Sequence, residues 1–436
     1  MINRKSLIGE NGRLLVLFFI LILTLCFISM NTIYAKTTLR FVYSGTSEPE
    51  KAWTVNYRKD FEEKYPDITI EYMYIPWADQ EKKVAVMAQA GDFPDIIQVQ
   101  DVTTLSAMGI LEPLNEYLDA PESTINRDLF YSAALDYSII DDVIYSIPAH
   151  MTVYGLVVNV DMLDSVGYTL EDIKIWDDIL ELGEKITDPD NGIYAYGYAA
   201  GLPRFAWRDA FIAGVSNDLI LSEFSPGNEE KYEELFNYYN ELKPFIPPAA
   251  VTWSYPEMFR AFCQEQVAVI PVGSYFTSNV APIDPNIVNK SRAIPYPQGP
   301  SSYENKALVA NAGWAILKGS EHKEEAWMVI QDLLTKENDT KEAAVVGLPV
   351  RKDIDIDKFS DVAGENYPDI KDANTQIIKD FTYLAENYGV PLAKILRQNE
   401  MEVRFQEHMY NLLTDKITPS EFYPRIKKDI EEIKNQ

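Results

Sequence analysis

Hydrophobic positions in the chain after residue 35 switch repeatedly between two periods. Trp53, Tyr57 and Phe61 recur every four residues, which predicts an amphipathic helix that ends before Pro66. Apolar runs of strand length flank it, and the full order is strand 38–45, helix 48–65, strand 68–75, helix 80–90 and strand 95–100. Strands separated by single helices predict βαβ units, and therefore an α/β fold with a mostly parallel sheet between layers of helices.

The later chain continues this pattern. Extended segments are predicted at 143–163, 192–200, 267–275 and 347–354, and helices at 176–188 and 322–335. The second of these helices is the firmer prediction, because Trp327, Ile330 and Leu334 fall on one face. The chain beyond 354 reads as mostly helix, and no internal repeat is present. We assign Trp176 and Trp327 to helix packing.

Ligands of such sheets bind where strands end and the chain turns into a helix. Several predicted strand ends carry polar or aromatic side chains in place of ordinary turn residues. These ends are Tyr43 to Gly45, Gln98 to Asp101, Gly273 to Tyr275, and Asn311 to Trp314.

Residues 1–35 have the layout of a secretory signal peptide. A basic start precedes an apolar run over 14–30, and Ala35 supplies a small residue at the cleavage point. We therefore predict an exported protein that begins at Lys36. An uncleaved membrane anchor and a lipid attached to Cys26 are the alternatives, the latter disfavoured by the large apolar residues around that cysteine.

Net charge and cysteine content limit which partners and which cross-links this protein can have. The formal net charge is -28, and because residues 1–35 carry three basic and one acidic residue, the rest of the chain is near -30. A field of that sign repels nucleic acids and anionic lipids. Cys263 is the single cysteine beyond residue 35, so an intramolecular disulfide is excluded.

Motifs of the common enzyme classes are missing from the sequence. His150, His322 and His408 are far apart and have no zinc-binding spacing, and no phosphate-binding loop, dinucleotide fingerprint or nucleophile elbow occurs. We therefore expect no metal and no cofactor, and a binding protein in place of an enzyme. A glycosidase needs only two suitably placed carboxylates, which a chain with 67 acidic residues does not exclude.

Eight segments, in this order, resemble those of the extracellular solute-binding proteins of ABC importers, family 1, the maltose-binding-protein-like sugar and oligosaccharide binders. They are FEEKYPDITIEY, QAGDFPDIIQV, GILEPLNEYL, IPAHMTVYGLVVNVDML, WDDILELGEKIT, VAVIPVGSY, AGWAILKGSEHKEEAWMVIQDLLT and GLPVRKDI. Each segment alone is a weak signal, but together they cover nearly the whole chain after residue 35.

The resemblance implies two α/β lobes that close on a ligand, with the chain crossing between them near His150, Leu317 and Gly347. The lobes would comprise residues 36–150 with 317–347, and residues 151–316 with 348–436. It also implies a carbohydrate ligand, delivery to the membrane permease subunits of an ABC importer, a monomer, and a location in the periplasm or at the outer face of the cytoplasmic membrane. Runner-up functions are a secreted carbohydrate-active enzyme, a surface adhesion module, or a binding protein for a glycerol-phosphate-type ligand.

The family's cleft positions, matched residue by residue, suggest a set of ligand-binding candidates. Tyr275 stands where relatives often have tryptophan, which weakens the prediction that it stacks on a ligand. The candidates are Tyr43, Glu48, Gln100, Asp101, His150, Trp207, Trp253, Ser274, Tyr275, Trp314 and Arg351.

Sugar chemistry fits this set, because flat aromatic rings cover the C–H faces of a sugar and planar polar groups bind its hydroxyls. Trp77 adds a further aromatic ring. We single out Trp314, which has the small neighbours Gly313 and Ala315, as a ring-stacking residue, with a place in the core as the alternative. The alternatives for Asp101 and Arg351 are a helix cap and a partner for nearby acids.

Overall fold

The computed structural model describes residues 36–222, 227–393 and 397–434. The predicted leader, residues 1–35, lies outside the described residues. The strands are β1 (Thr37–Tyr43), β2 (Ile68–Tyr74), β3 (Ile96–Val99), β4 (Ile139–Ile140), β5 (Val143–Ile144), β6 (Ile147–Asn159), β7 (Tyr194–Tyr196), β8 (Val267–Gly273), β9 (Ser291–Ile294), β10 (Ala307–Ile316), β11 (Leu348–Pro349) and β12 (Gly389–Pro391).

Helices flank the sheet. They are α1 (Glu48–Lys64), α2 (Trp77–Gln89), α3 (Thr103–Ala107), α4 (Asn115–Leu118), α5 (Ser132–Asp136), α6 (Val160–Asp164), α7 (Trp176–Ile186), α8 (Pro203–Val215), α9 (Glu229–Leu242), α10 (Tyr255–Cys263), α11 (Phe276–Val280), α12 (Lys323–Leu333), α13 (Lys336–Val346), α14 (Ile356–Glu365), α15 (Lys371–Tyr388), α16 (Gln398–Leu413) and α17 (Pro419–Lys434).

The first lobe begins with the predicted βαβ units. β1 lies between β2 and β3 and runs parallel to both. α1 starts at a capping box, in which the side chains of Ser47 and Glu50 satisfy each other's backbone N–H groups. Its buried face carries Tyr57 and Phe61, so the four-residue aromatic spacing in the sequence marked a core-facing helix.

Two long strands join the lobes. β10 is antiparallel to β3 at one end, where Trp314 is opposite Gln98, and antiparallel to β6 along its length. Every residue of β6 is buried, and β6 pairs in turn with β8 and β9. One mixed sheet of order β2-β1-β3-β10-β6-β8-β7 therefore runs through both lobes. Along this order the outer pairs are parallel, whereas β10 and β6, the strands that cross between the lobes, are antiparallel to their neighbours.

The change of neighbours occurs within β10. Its first residues pair with β12, its last four pair with β3, and the register shifts between Ala312 and Gly313. After α13 the chain returns to the first half of β6, where Leu348 is opposite Met151. A side chain on Gly347 would collide with the Met151 carbonyl oxygen, so this approach requires glycine. The residue bounds of each lobe stay a prediction.

Aromatic side chains dominate the core of the second lobe. Trp207 on α8 meets Phe405 on α16 edge to face, with ring centroids 5.2 Å apart. Trp176 stacks on Tyr238 at 4.6 Å, which is the helix packing predicted for it. Cys263 is buried and free. The predicted α/β class and two-lobe fold are confirmed, and none of the helices in the described ranges has the length and apolar character needed to cross a membrane.

Candidate ligand-binding cleft

A cavity of about 550 Å³ opens where β1 and β3 end, and residues of both lobes line it. The first lobe and the α13 end contribute Ser44, Gly45, Thr46, Ser47, Glu50, Pro76, Trp77, Gln100, Val345 and Val346. The crossing strands contribute His150, Thr152, Tyr154 and Ala312. The second lobe contributes Leu202, Pro203, Arg204, Phe205, Arg208, Tyr255, Tyr275, Ser278, Asn279, Asn399, Glu402 and Val403. We call this cavity the cleft.

The loop after β1 forms one wall of the cleft and is held by hydrogen bonds to β3 and within the loop. The backbone N–H of Ser44 donates to Oε1 of Gln98 at 3.0 Å. Oε2 of Glu50 accepts from the backbone N–H and the hydroxyl of Ser47, at 3.0 and 2.5 Å. A side chain on Gly45 would meet the Glu50 carboxylate and the Tyr43 ring, so a larger residue there would displace these groups. The Glu50 carboxylate is therefore fixed at the wall.

Two arginines reach the cleft from α8, one helical turn apart. Cζ of Arg204 lies 5.6 Å from the ring centroid of Trp77, which belongs to the first lobe. Arg208 is only 5% exposed, and its Nη1 donates to the Tyr154 hydroxyl at 2.7 Å. Its Nη2 donates to Oε1 of Gln100, just after β3, at 3.5 Å. Both arginines thus touch residues of the first lobe.

An aromatic cluster forms the second-lobe wall. The Tyr275 hydroxyl donates to the Tyr255 hydroxyl at 2.9 Å, and Tyr255 stacks on Phe205 with ring centroids 3.5 Å apart. Tyr154 meets Tyr275 edge to face at 5.9 Å. Trp77, half-buried, supplies an aromatic surface from the first lobe. The cleft therefore has aromatic rings on both of its walls.

His150 lines the cleft and is paired behind it with Glu342. Its Nδ1 lies 3.5 Å from Oε1 of Glu342, and both side chains are buried. Burial lowers the pKa of His150 to about 4. Burial also raises the pKa of Glu342 well above its ordinary value, and the charge of Glu50 acts in the same direction. At neutral pH His150 is therefore uncharged and adds polarity but no charge to the cleft, while burial favours the neutral form of Glu342.

A side cavity of about 40 Å³ adjoins the cleft and shares five lining residues with it: Trp77, Gln100, Arg204, Asn399 and Glu402. It is acidic, because Glu81, Asp101 and Glu402 line it. Burial, helped by the charge of Asp101, raises the pKa of Glu81 to about 7. Burial likewise raises the pKa of Glu402. Throughout the described part of the chain, no three His, Cys, Asp or Glu side chains come together as metal ligands would.

Three of the predicted binding residues line the cleft: Gln100, His150 and Tyr275. Trp77, which the sequence analysis gave as a further aromatic ring, lines the cleft as well. Each of the four lies at or near a strand end, or on a crossing strand. Their contact with a ligand stays a prediction.

Trp314 lies in the core of the first lobe and not in the cleft lining, which corrects its predicted placement. It is 1% exposed, with Tyr43 stacked on it at 6.1 Å and Phe41 meeting it edge to face at 5.3 Å. A side chain on Gly313 would collide with the Ser146 hydroxyl, 2.7 Å away, so the segment that leads into β6 fills the space beside this glycine. The same packing buries Tyr43, which is 2% exposed and outside the lining.

Arg351 and Asp101 make local contacts that match their structural alternatives. Nε and Nη2 of Arg351 donate to the two carboxylate oxygens of Asp353 at 2.9 and 3.0 Å, and Nη1 donates to the Leu334 carbonyl at 2.6 Å. Arg351 therefore holds the segment after α13 in place, away from the cleft. Asp101 accepts from the backbone and hydroxyl of Thr103 at 2.8 and 2.5 Å and lines only the side cavity.

The remaining candidates also lie outside the cleft lining. Trp207 is buried against Phe405 because α8 turns this face inward, and Trp253 is partly buried between the two cores. The Ser274 hydroxyl accepts from the backbone N–H of Val153 at 3.3 Å. Glu48 is exposed on α1 and pairs with Lys51. Glu50, two residues later, lines the cleft instead.

Sequence reasoning missed several lining residues of the crossing strand β6 and of the second lobe: Tyr154, Arg204, Arg208, Tyr255 and Glu402. One signal was available for the two arginines. They stand four positions apart in the otherwise largely apolar helix PRFAWRDAFIAGV, where a charged residue needs a polar partner. The tyrosines and Glu402 carry no comparable local signal, because chain segments far apart in sequence bring them to the cleft.

The chain is similar in sequence and in fold to known sugar-binding proteins. The chain is 23% identical over 276 residues to the arabinooligosaccharide-binding protein of Bacillus subtilis (strain 168), which covers 62% of this chain and 63% of that protein. A maltose-bound MalE3 structure from T. maritima superposes with a TM-score of 0.75 at 19% identity, covering 91% of this chain and 100% of that one. An ABC transporter solute-binding protein of Thermotoga lettingae TMO, bound with alpha-D-tagatose, gives 0.74 at 19% identity, covering 91% and 99%.

Family membership rests on a longer match in sequence. Residues 44–340 match the family of bacterial extracellular solute-binding proteins. The matched stretch runs from the loop after β1 to within α13, and so includes both crossing strands and most of the cleft lining. The chain belongs to the bacterial extracellular solute-binding proteins.

Proposed function

We propose that the cleft binds a carbohydrate, a mono- or oligosaccharide, and that the protein delivers it to the permease of an ABC importer. The observation that carries this proposal is the presence of aromatic rings on both walls of one cavity, with polar side chains between them. Its volume of about 550 Å³ falls in the usual range of small-molecule sites.

The lining matches the two kinds of surface that a sugar presents. Trp77 and Tyr275 offer flat rings, from different lobes, to the C–H faces of a sugar ring. Gln100, Glu50 and Arg208 offer an amide, a carboxylate and a guanidinium group to its hydroxyls. A ligand held between both sets would bridge the lobes and favour their closed arrangement.

The named relatives support the same ligand class. One binds arabinooligosaccharides by its name, and the two structures hold maltose and tagatose. From the family we extend to this chain an exported location, outside the cytoplasmic membrane, and the permease subunits as partners. We also propose that the protein acts as a monomer with no cofactor.

Binding without catalysis is part of the proposal. The carboxylates of the cleft are already engaged, since Glu50 accepts from Ser47 and Glu402 accepts from Gln398 at 2.8 Å. An assay for new reducing ends on a panel of oligosaccharides tests the enzyme alternative. Cleavage that disappears in Glu50→Gln or Glu402→Gln would replace a binding protein with a carbohydrate-active enzyme.

A thermal-shift screen over saccharides tests the proposed function. A ligand at 100 times its dissociation constant adds about 2.7 kcal/mol to the stability of the folded protein, which raises the melting temperature. We expect Tyr275→Ala to remove most of that shift. Tyr303→Ala, at a 93% exposed position outside the cleft lining, is the matched control and should keep it. The proposal fails if no mono- or oligosaccharide shifts the melting temperature of the unaltered protein.

A further inference from the structure

Arg208 is a buried cation without a carboxylate partner among the described residues. It is 5% exposed, and its two hydrogen bonds go to neutral oxygens, the hydroxyl of Tyr154 and the amide of Gln100. Of the five N–H groups of a guanidinium, three are left without an acceptor in the part of the chain that the structure describes. Buried charges are normally paired, so this arrangement is unusual.

Other arginines of this protein show the ordinary arrangement. Arg351 binds Asp353, and Arg292 binds Asp380 with Nε 2.7 Å from a carboxylate oxygen. Arg204, one turn before Arg208, has no carboxylate within 4.0 Å in the described ranges, and its Cζ lies over the Trp77 ring. Both guanidinium groups line the cleft without a carboxylate at contact distance among the described residues, although Arg204 also borders the acidic side cavity.

Two acidic residues also line the cleft, and neither neutralises this pair by contact. The Glu50 carboxylate accepts both of its short hydrogen bonds from Ser47. Glu402 is 4% exposed and accepts a hydrogen bond from Gln398. Burial raises the pKa of its carboxyl, which disfavours its charged form, while the charges of Arg204 and Arg208 act in the opposite direction without forming an ion pair with it. His150 adds no charge at neutral pH. The positive groups are all the more distinctive in a chain of net charge -28.

We infer that the cleft selects an acidic carbohydrate, a saccharide whose carboxylate or phosphate group is bound by Arg208 and Arg204. The inference rests on the proposed function for the sugar part and adds the charge of the ligand. A guanidinium group matches either oxyanion, because its planar fork donates two parallel hydrogen bonds. The oxyanion would supply the acceptors and the negative charge that Arg208 lacks, while Trp77 and Tyr275 cover the sugar ring.

Calorimetric titration with size-matched ligands tests the inference. The probes are glucose and glucuronic acid, a neutral disaccharide and its uronate counterpart, and glucose 6-phosphate. We expect the unaltered protein to bind an acidic member at least about 10-fold more tightly than its neutral match. Tighter binding of the uronates identifies a carboxylate as the recognised group, whereas tighter binding of the sugar phosphate identifies a phosphate.

Charge-removing variants locate the recognition. Arg208→Gln and Arg204→Gln should each weaken binding of the acidic ligand by about 10-fold to 100-fold and that of its neutral match by less than about 3-fold. Arg404→Gln removes the same charge from an exposed position on α16, where Arg404 pairs with Glu407, and should change neither affinity. Urea unfolding of the unliganded variants shows whether each is folded. If Arg208→Gln is unstable, Arg204→Gln still tests the inference, because Arg204 is only half-buried.

The outcomes separate the inference from the proposed function. Equal affinity of the unaltered protein for acidic and neutral ligands, or an equal loss of both in the folded arginine variants, overturns the charge selection and leaves carbohydrate binding intact. Failure of every saccharide, acidic or neutral, to bind overturns the proposed function and the inference together.

Discussion

The guanidinium group of Arg204 lies over the indole of Trp77, with Cζ 5.6 Å from the ring centroid. This contact joins α8 of the second lobe to the start of α2 in the first lobe, at the edge of the cleft. The hydrogen bond from Arg208 to Gln100 is a second contact between the two lobes. The lobes therefore touch across the cleft in this structure. In solution we expect them to alternate between an open and a closed arrangement.

Lobe closure gives the first prediction. A ligand that contacts both lobes binds the closed form more tightly and shifts the population towards it. Small-angle scattering of the protein at saturating ligand should therefore give a smaller radius of gyration than the unliganded protein. An unchanged scattering curve at saturation would mean that the site is rigid.

Truncation of Trp77 gives the second prediction. A sugar ring against the indole would cover about 50 to 100 Å² of apolar surface, which is worth roughly 1 to 3 kcal/mol at about 25 cal/mol per Å². Trp77→Ala should then weaken saccharide binding by about 10-fold to 100-fold. Because Trp77 is half-buried, the loss of folding stability should stay near 1 kcal/mol. Calorimetry and urea unfolding measure the two effects, and unchanged affinity would remove Trp77 from the site.

Trp314 should behave in the opposite way, which is the third prediction. It is fully enclosed by Tyr43, Phe41 and the neighbouring strands, so Trp314→Ala should cost roughly 3 to 5 kcal/mol of unfolding free energy. Trp314→Phe should cost less, because it keeps an aromatic ring and because the indole Nε1 has no hydrogen-bond acceptor to lose. A Trp314→Ala variant of normal stability and weakened binding would contradict the core placement.

Trp314 and Trp77 show how far the sequence alone could lead. The alternation of strand and helix, together with family-like segments in order, was enough for the two-lobe α/β fold. Whether a tryptophan beside small residues faces a ligand or the core depends on what a distant strand brings against it. For Trp314 that strand is β1, through Phe41 and Tyr43, and no pattern near residue 314 reveals it.

The cleft itself was only partly predictable for the same reason. Gln100, His150 and Tyr275 could be named because strand ends and crossings are visible in the sequence. Arg208 adjoins the predicted Trp207, but one position on a helix rotates a side chain by about 100°, from the core to the cleft. Which face of α8 points to the cleft is decided by how the helix packs in the folded protein. Sequence periodicity does not identify that face for a helix that is buried on most sides.

The buried pair of His150 and Glu342 gives the fourth prediction, on pH. Folding lowers the pKa of His150 from 6.5 to about 4, so between these values the unfolded chain binds more protons than the folded protein. Stability from this group is therefore complete above pH 6.5 and is lost as the pH falls towards 4. At pH 5 the loss is about 2 kcal/mol, since one pKa unit corresponds to about 1.4 kcal/mol.

Comparison with His150→Gln isolates this effect. The raised pKa of Glu342 contributes the reverse slope, with stability lost as the pH rises, but Glu342 is present in both proteins. Urea unfolding at pH 7 and pH 5 should therefore show a larger loss of stability in the unaltered protein than in His150→Gln. Equal losses in the two proteins would show that His150 titrates in the folded protein as it does in the unfolded chain.

The most direct test of the account is a crystal structure of the protein with the tightest-binding saccharide from the thermal-shift screen. The proposed function predicts one sugar in the cavity of about 550 Å³, with a ring against Trp77 or Tyr275 and polar groups within hydrogen-bond distance of Gln100 and Arg208. A saccharide bound on an outer face of either lobe, with the cleft side chains untouched, would contradict it.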